Sequence, residues 1–307
     1  MKLKAKDVLA NTNNIFVKNI KEKILQNMND IYKAKKSINF TSKFDKELKL
    51  KKPLINDLFT IGGGKNEIIN LEFNMNVSIS KQIEKYIQGD TKSKEAVINL
   101  YERGFNESQI INLLSLGNFG IDINKRCVPT RWTISAYDKI IESFLYDKIK
   151  KYKLISNYEI FFYEDKGNKF LVILIPDVFS FENIEFTNDN WKAVDYVKYN
   201  NKLNYKEPKT AGGFFASKVA ILEYLRERKK QASIVCLRLI DNYEIPLGVV
   251  FVRESLRESM KNNIYKTYNI KDVKFFVFEN YFIFFDQFLK SNSLKELNFQ
   301  KKINDFF

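Results

Sequence analysis

Apolar residues recur at helical spacing through the first half of this 307-residue chain, then give way to strand-like runs. Residues 3 to 38 are helix-compatible, with Val8, Ile15, Ile20, Ile24, Met28 and Ile31 at loosely helical intervals. Pro53 and Gly62-Gly63-Gly64 punctuate the next segment. Asn66 after Lys65 departs from the phosphate-loop pattern, so a turn is expected there. Three short helices follow, marked by Ile83, Tyr86 and Ile87, by Val97, Leu100 and Tyr101, and by Ile110, Ile111 and Leu114. Asn106 and Gln109 fall as cap and capping-box partner of the third. Pro129 disfavours helix at Val128, so Thr130 or Thr133 caps a helix whose apolar face is Ile134, Tyr137, Ile141, Leu145 and Ile149.

Strand signals dominate the middle. Tyr158–Tyr163 and Phe170–Ile175 are β-rich runs separated by the hairpin-like Glu164-Asp165-Lys166-Gly167-Asn168, and Phe179–Phe186 is a candidate third strand. Thr210-Ala211-Gly212-Gly213 opens a helix with Phe215, Val219, Leu222 and Leu225 inward. Strand-like Ser233–Leu239 and Tyr243–Val252 follow, then helical Arg253–Lys261 and an apolar stretch from Val273 to Leu289. The alternation of β and α is too irregular for a doubly wound sheet. The expected class is α+β, with an antiparallel or mixed sheet flanked by helices. The expected parts are a lysine-rich helical arm over 1–52, a single core over 53–290 and a flexible tail over 291–307.

Composition narrows the chemistry. The chain has no histidine and only Cys127 and Cys236, which excludes a zinc finger, a histidine base and a disulfide framework. No signal peptide opens it and no apolar run approaches the roughly 20 residues of a membrane span, so a soluble cytoplasmic protein without a membrane partner is expected. The net charge is +14, and residues 1 to 52 carry +9 of it through fourteen lysines and five acids, a plausible phosphate-binding surface. Lysine outnumbers arginine 43 to 8, which also fits A·T-rich coding. Arginine is then expected where a planar fork is needed, and seven of the eight lie between 126 and 257.

Three blocks carry candidate chemistry. Lys125, Arg126, Thr130, Arg131 and Thr133 surround a helix N-terminus and form a candidate anion site. Ser135, Asp138 and Glu142 make a polar stripe on that helix, and the two carboxylates are candidates for holding a divalent cation or for acid–base work. Thr210, Gly212, Gly213 and Lys218 are a second phosphate candidate, since paired glycines let backbone approach a phosphate or let a helix pack tightly on a sheet. Arg253 and Glu254, at an expected strand-to-helix junction, form either a site or a local ion pair. Trp132 and Trp191 are suited to stacking on bases or to the core.

The segment Gln300-Lys301-Lys302-Ile303-Asn304-Asp305-Phe306-Phe307 has the form Q-x-x-I-x-x-F-F of a sliding-clamp (PCNA) binding peptide. Ile303 and Phe306 fall on one side of a single 3₁₀ turn, Phe307 lies beside them, and Gln300 can reach a separate polar site through its amide.

Three long motifs resemble the archaeal Nre DNA-repair family of the NreA type: Lys125–Ala136, Thr210–Leu225 and Pro246–Glu254, in order within residues 50 to 260. The resemblance implies DNA repair and a C-terminal clamp-binding motif, which Gln300, Ile303, Phe306 and Phe307 match. It singles out Arg126, Pro129, Thr130, Arg131, Trp132, Gly212, Gly213, Arg253 and Glu254. Many members begin with a four-cysteine zinc module, for which this sequence has no cysteines. The expected function is a repair factor recruited by the clamp, with a core that binds DNA or nucleotide phosphate. The alternatives are a metal-dependent nuclease built on Asp138, Glu142 and a further carboxylate such as Asp177 or Glu182, and a non-catalytic adaptor. No cofactor is expected beyond a divalent cation in the nuclease case.

Overall fold

A computed structural model of the chain describes residues 22–35, 40–44, 68–73, 80–89, 91–121, 125–189, 191–198, 212–241 and 248–299. The backbone groups into two compact units, Met1–Ile141 and Glu142–Phe307. The first holds helix α1 (Glu22–Lys33), the antiparallel pair β1 (Phe40–Phe44) and β2 (Ile68–Phe73), and helices α2 (Lys81–Gln88), α3 (Ser93–Glu102) and α4 (Glu107–Ser115). The helix α5 (Thr130–Ile149) starts in this unit and ends in the other. Of the residues that the periodicity selects for the first unit's short helices, Ile83, Val97, Leu100, Ile110 and Ile111 are buried, whereas Tyr86, Ile87, Tyr101 and Leu114 are half-buried and Leu113 takes the core position beside Leu114. Burying each such side chain contributes about 1.5–3 kcal/mol. Asn106 Oδ1 caps α4 by accepting from the Gln109 N–H at 3.3 Å. The Gln109 side chain does not return to the cap. It donates to the carbonyls of Tyr32 at 2.7 Å and Ala34 at 3.0 Å, tying α4 to the end of α1.

The second unit is built on a six-stranded mixed sheet. Its strands are β4 (Tyr158–Asp165), β5 (Asn168–Ile175), β6 (Ser180–Thr187), β7 (Lys192–Lys198), β9 (Ser233–Ile240) and β10 (Asn263–Thr267), in the order β10-β4-β5-β9-β6-β7. Among the described strands of this sheet, only β6 and β9 pair in parallel. A two-residue pair joins β3 (Lys153–Leu154) to β8 (Lys230–Gln231). The β4–β5 hairpin turns at Lys166 and Gly167, both at positive φ (48° and 70°), as a two-residue hairpin of this twist requires.

Strand periodicity decides what each face meets. One face presents Ile160, Leu171, Ile173, Ile184, Val235 and Leu237 to α8 (Ile270–Asn280), α9 (Phe282–Leu289) and α10 (Asn292–Phe299). The other presents Phe161, Phe170 and Phe181 to α6 (Gly212–Glu227) and α7 (Val249–Ser259), through Phe161–Tyr224, Phe181–Phe214 and Phe170–Phe251 ring contacts. The α+β class and the mixed sheet are as the sequence implies.

Several boundaries differ from the sequence expectation. Val249–Val252, which reads as strand, is the first turn of α7, so Arg253 and Glu254 lie within a helix rather than at a junction. Residues 273–289 form two helices broken at Tyr281. The segment Asn292–Phe299, placed by spacing in a tail starting at 291, is helical and buries Leu294, so the folded chain extends past 290. Strand β1 lies within the 1–52 arm yet pairs with β2 beyond it. The Gly62–Gly64 turn, Thr210 and the whole of Gln300–Phe307 lie outside the described residues.

Candidate nucleic-acid interface

The segment entering α5 is fixed along its whole length within the first unit. Val128 donates its N–H to Ser115 O at 2.8 Å, and Ser115 Oγ donates to Val128 O at 2.7 Å. The same Ser115 hydroxyl lies 3.2 Å from Thr130 Oγ1, and Cys127 Sγ donates to Leu116 O at 3.4 Å. Lys125 Nζ donates to Ile87 O at 2.7 Å. Gly117, at φ +73°, lets the Arg126 backbone pass so closely that a Cβ there would lie 2.5 Å from the Arg126 carbonyl carbon. Thr133 is buried and donates to Pro129 O at 3.2 Å, so it secures the first turn rather than offering a hydroxyl to solvent.

The consequence is a backbone tied down at several points that presents a few side chains outward. Arg126, Arg131 and Trp132 are exposed, and Trp132 has 55% of its surface open. The Arg131 guanidinium lies 5.8 Å from the Trp132 ring centre, at the outer edge of cation–π range. Residues 125 to 137 carry three cations and no acid. Because the backbone is already ordered, a ligand meeting these side chains would not have to order the loop.

The second phosphate candidate is built differently. Lys218 is buried at 4% exposure and sits 2.7 Å from the Glu142 carboxylate, itself 7% exposed. Three rings surround its ammonium, Tyr146 at 5.5 Å, Phe179 at 5.6 Å and Phe214 at 5.7 Å. Glu142 is therefore the anion that Lys218 already holds. At the start of α6 the Glu185 carboxylate lies against Gly213. A Cβ on Gly213 would lie 2.5 Å from its Oε1, so glycine lets the carboxylate come close to the positive end of the helix. Arg238, paired with Glu185 across β6 and β9, reaches it at 3.4 Å and donates through Nε and Nη2 to Asn168 Oδ1 at 2.9 and 2.7 Å. Two residues from Arg238 on β9, the Cys236 thiol is pushed up to about 12 by burial and by the Glu185 charge.

Asp138 and Glu142 are both buried, so the polar stripe of α5 is not a solvated one. Asp177 caps its own turn, accepting from the Val178 N–H at 2.7 Å. Glu182 caps α10: one oxygen accepts from the Asn292 N–H (3.0 Å) and Nδ2 (2.9 Å), the other from the Ser293 N–H (3.0 Å). Among the described residues no group of three His, Cys, Asp or Glu stands close enough to hold a metal ion. Arg253 is buried in α7, with its Nε 3.8 Å from Glu254.

Spacing misses the Asn168–Arg238–Glu185 cluster. Its members lie far apart in sequence, and the available signal is strand parity: Glu185 and Arg238 alternate with core residues on the face that meets α6.

Two family models cover nearly the whole chain: archaeal Nre, N-terminal, matches residues 1–191, and archaeal Nre, C-terminal, matches 198–306. The chain belongs to the archaeal Nre family. Among Nre relatives it is 34% identical over 196 residues to DNA repair protein NreA of Archaeoglobus fulgidus, covering 61% of this chain and 50% of that protein. It is 34% identical over 202 residues to DNA repair protein NreA of Haloferax volcanii, covering 62% and 48%. DNA repair protein NreB of Archaeoglobus fulgidus is 30% identical over 237 residues, covering 74% and 60%. The chain thus spans about half to three fifths of these relatives' length. No solved structure matches it. The N-terminal Nre match contains the Lys125–Trp132 segment, and the C-terminal one contains α6 and reaches residue 306.

Proposed function

We propose that this Nre protein is a DNA-repair factor that the sliding clamp (PCNA) brings to DNA through Gln300–Phe307, and that Arg126 and Arg131 then contact DNA phosphate. The observation that carries the reading is the Q-x-x-I-x-x-F-F form of Gln300–Phe307, in a chain whose C-terminal Nre match runs to residue 306. The names of the relatives, each a DNA repair protein, supply the process. An exposed, acid-free basic segment on a fixed backbone supplies a surface for a polyanion. Tethering by the tail makes a weak surface sufficient, because a second contact on the same DNA becomes intramolecular. No helix among the described residues is long and apolar enough to cross a membrane, and the reading places the protein in the cytoplasm with the chromosome.

Two of the carboxylates named for the nuclease alternative are already committed within the fold. Glu142 is held by Lys218, and Glu182 is committed to capping α10. Replacing Phe306 and Phe307 together by alanine tests the tail. The variant should lose co-elution with the clamp while keeping the circular dichroism of the parent. Co-elution at the parental level would refute it.

A further inference from the structure

Tryptophan is among the side chains with most to gain from burial, yet at the start of α5 Trp132 is left half open beside Arg131. Nothing in its own segment requires that exposure. The neighbours Val128 and Thr133 are tied back to Ser115 and Pro129, and the backbone that carries Trp132 makes the first-turn bond from its N–H to Pro129 O at 3.0 Å. The ring therefore stands on a fixed helix turn, near the Arg131 guanidinium at 5.8 Å, with Arg126 on the segment that leads into the helix.

We propose that Trp132 is a stacking platform for an unpaired base and that the core therefore prefers single-stranded DNA to duplex. This deepens the reading of Arg126 and Arg131 as phosphate contacts and rests on it. The physical case is that a duplex hides the faces of its bases and offers this segment only phosphates. A single strand offers both: phosphates for the two guanidiniums and a base face for the indole. Stacking is tolerant of sequence, since every base has a π-face, so the preference should be for strandedness rather than for a base. Nearby arginine strengthens the arrangement, because its flat guanidinium can pack against the same base or pair with the adjoining phosphate.

The chain's two tryptophans allow a direct test. Two full-length single-tryptophan proteins are prepared, W191F reporting Trp132 and W132F reporting Trp191. Each is titrated with a 20-nucleotide oligothymidylate and with a 20-base-pair duplex at one salt concentration, and affinities are measured in parallel by anisotropy of labelled DNA. The expected result is quenching of W191F emission by the single strand and little by the duplex, with W132F emission unchanged. Trp132→Ala should weaken single-strand binding about 5- to 100-fold and leave duplex binding within twofold. Trp132→Phe, which keeps a ring, should retain most of it. Arg126→Gln with Arg131→Gln should weaken both ligands. Thermal melting checks that Trp132→Ala is folded, as its exposure implies.

Single-strand binding without Trp132 quenching, quenching of Trp191 instead, or equal loss on both ligands in Trp132→Ala would each overturn the proposal. If both DNAs bind equally and in an arginine-dependent way, the phosphate reading survives and the stacking one falls. If the parent binds neither, both fall.

Discussion

The ion pair between Glu142 and Lys218 separates a structural from a ligand-binding role for Lys218, and the two partners are predicted to respond unequally. With side chains 9% and 5% exposed and oxygen and nitrogen 2.7 Å apart, both charges are desolvated. Lys218→Met leaves the Glu142 carboxylate buried without its cation and should cost about 3–5 kcal/mol. Glu142→Gln leaves the ammonium among three rings at 5.5–5.7 Å, whose faces still favour a cation by about 1–2 kcal/mol in total. It should therefore be milder by about that amount. The double variant Glu142→Leu, Lys218→Met removes both charges and should recover most of the loss. Urea denaturation followed by circular dichroism reads these differences from the shift in midpoint at constant slope. Melting temperature should fall by roughly 6–20 °C for Lys218→Met. Equal costs below about 1 kcal/mol, with no recovery in the double variant, would refute a desolvated pair. A Lys218→Met protein that keeps its stability but loses DNA binding would return Lys218 to the phosphate role that its sequence position suggests.

Gly117→Ala would force a side chain into positive φ and against the Arg126 carbonyl carbon at 2.5 Å. It should cost about 2–4 kcal/mol and weaken DNA binding as much as loss of Arg126 and Arg131 does, which melting and anisotropy on one preparation would show. Burial alone would raise the Glu159 carboxyl, but the Arg228 hydrogen bonds and charge, with Lys266 and Tyr224, hold it below its ordinary 4.5. That depressed value makes the Glu159 contribution complete above pH 4.5 and lost as pH falls through the folded-state value, so Glu159→Gln should be less stable at neutral pH and show a flatter urea midpoint between pH 5 and 3. With its thiol pushed up to about 12 and no exposed surface, Cys236 should resist iodoacetamide at pH 8 in the folded protein and react only in denaturant.

Helices and strands with a clear period are legible from sequence, and the exceptions have physical causes. The α5 face of Tyr137, Ile141, Leu145 and Ile149 is buried as its spacing implies. The β4–β5 hairpin follows from two apolar runs around Lys166-Gly167. Val249-Val250-Phe251-Val252 reads as strand because β-branched residues favour it, but packing of α7 against the sheet overrides that preference. Strand β7 gives little signal because it lies at the sheet edge and its residues are mostly half open. The helix α10 is marked by little more than Leu294 and Leu297, and its start is set by Glu182, about 110 residues away in sequence.

Rarity of arginine is informative in an unexpected sense. Arg228 grips Glu159 with both terminal nitrogens, and Arg257 holds Glu223 through Nε and Nη2 at 2.8 and 2.9 Å. Arg238 forks onto Asn168. The planar fork is used, but for holding the fold, while Arg126 and Arg131 are left outward. No spacing rule distinguishes the two sets, since what separates them is which strands and helices the fold brings face to face.

Recruitment by the clamp, followed by engagement of DNA, is tested most directly on clamp loaded onto nicked circular DNA and separated from free protein by gel filtration. The parent should travel with the DNA only when clamp is present. Phe306→Ala with Phe307→Ala should remain in the free fraction, and Arg126→Gln with Arg131→Gln should be retained but less stably. Retention of the tail variant at the parental level, or retention of the parent without clamp, would contradict the account.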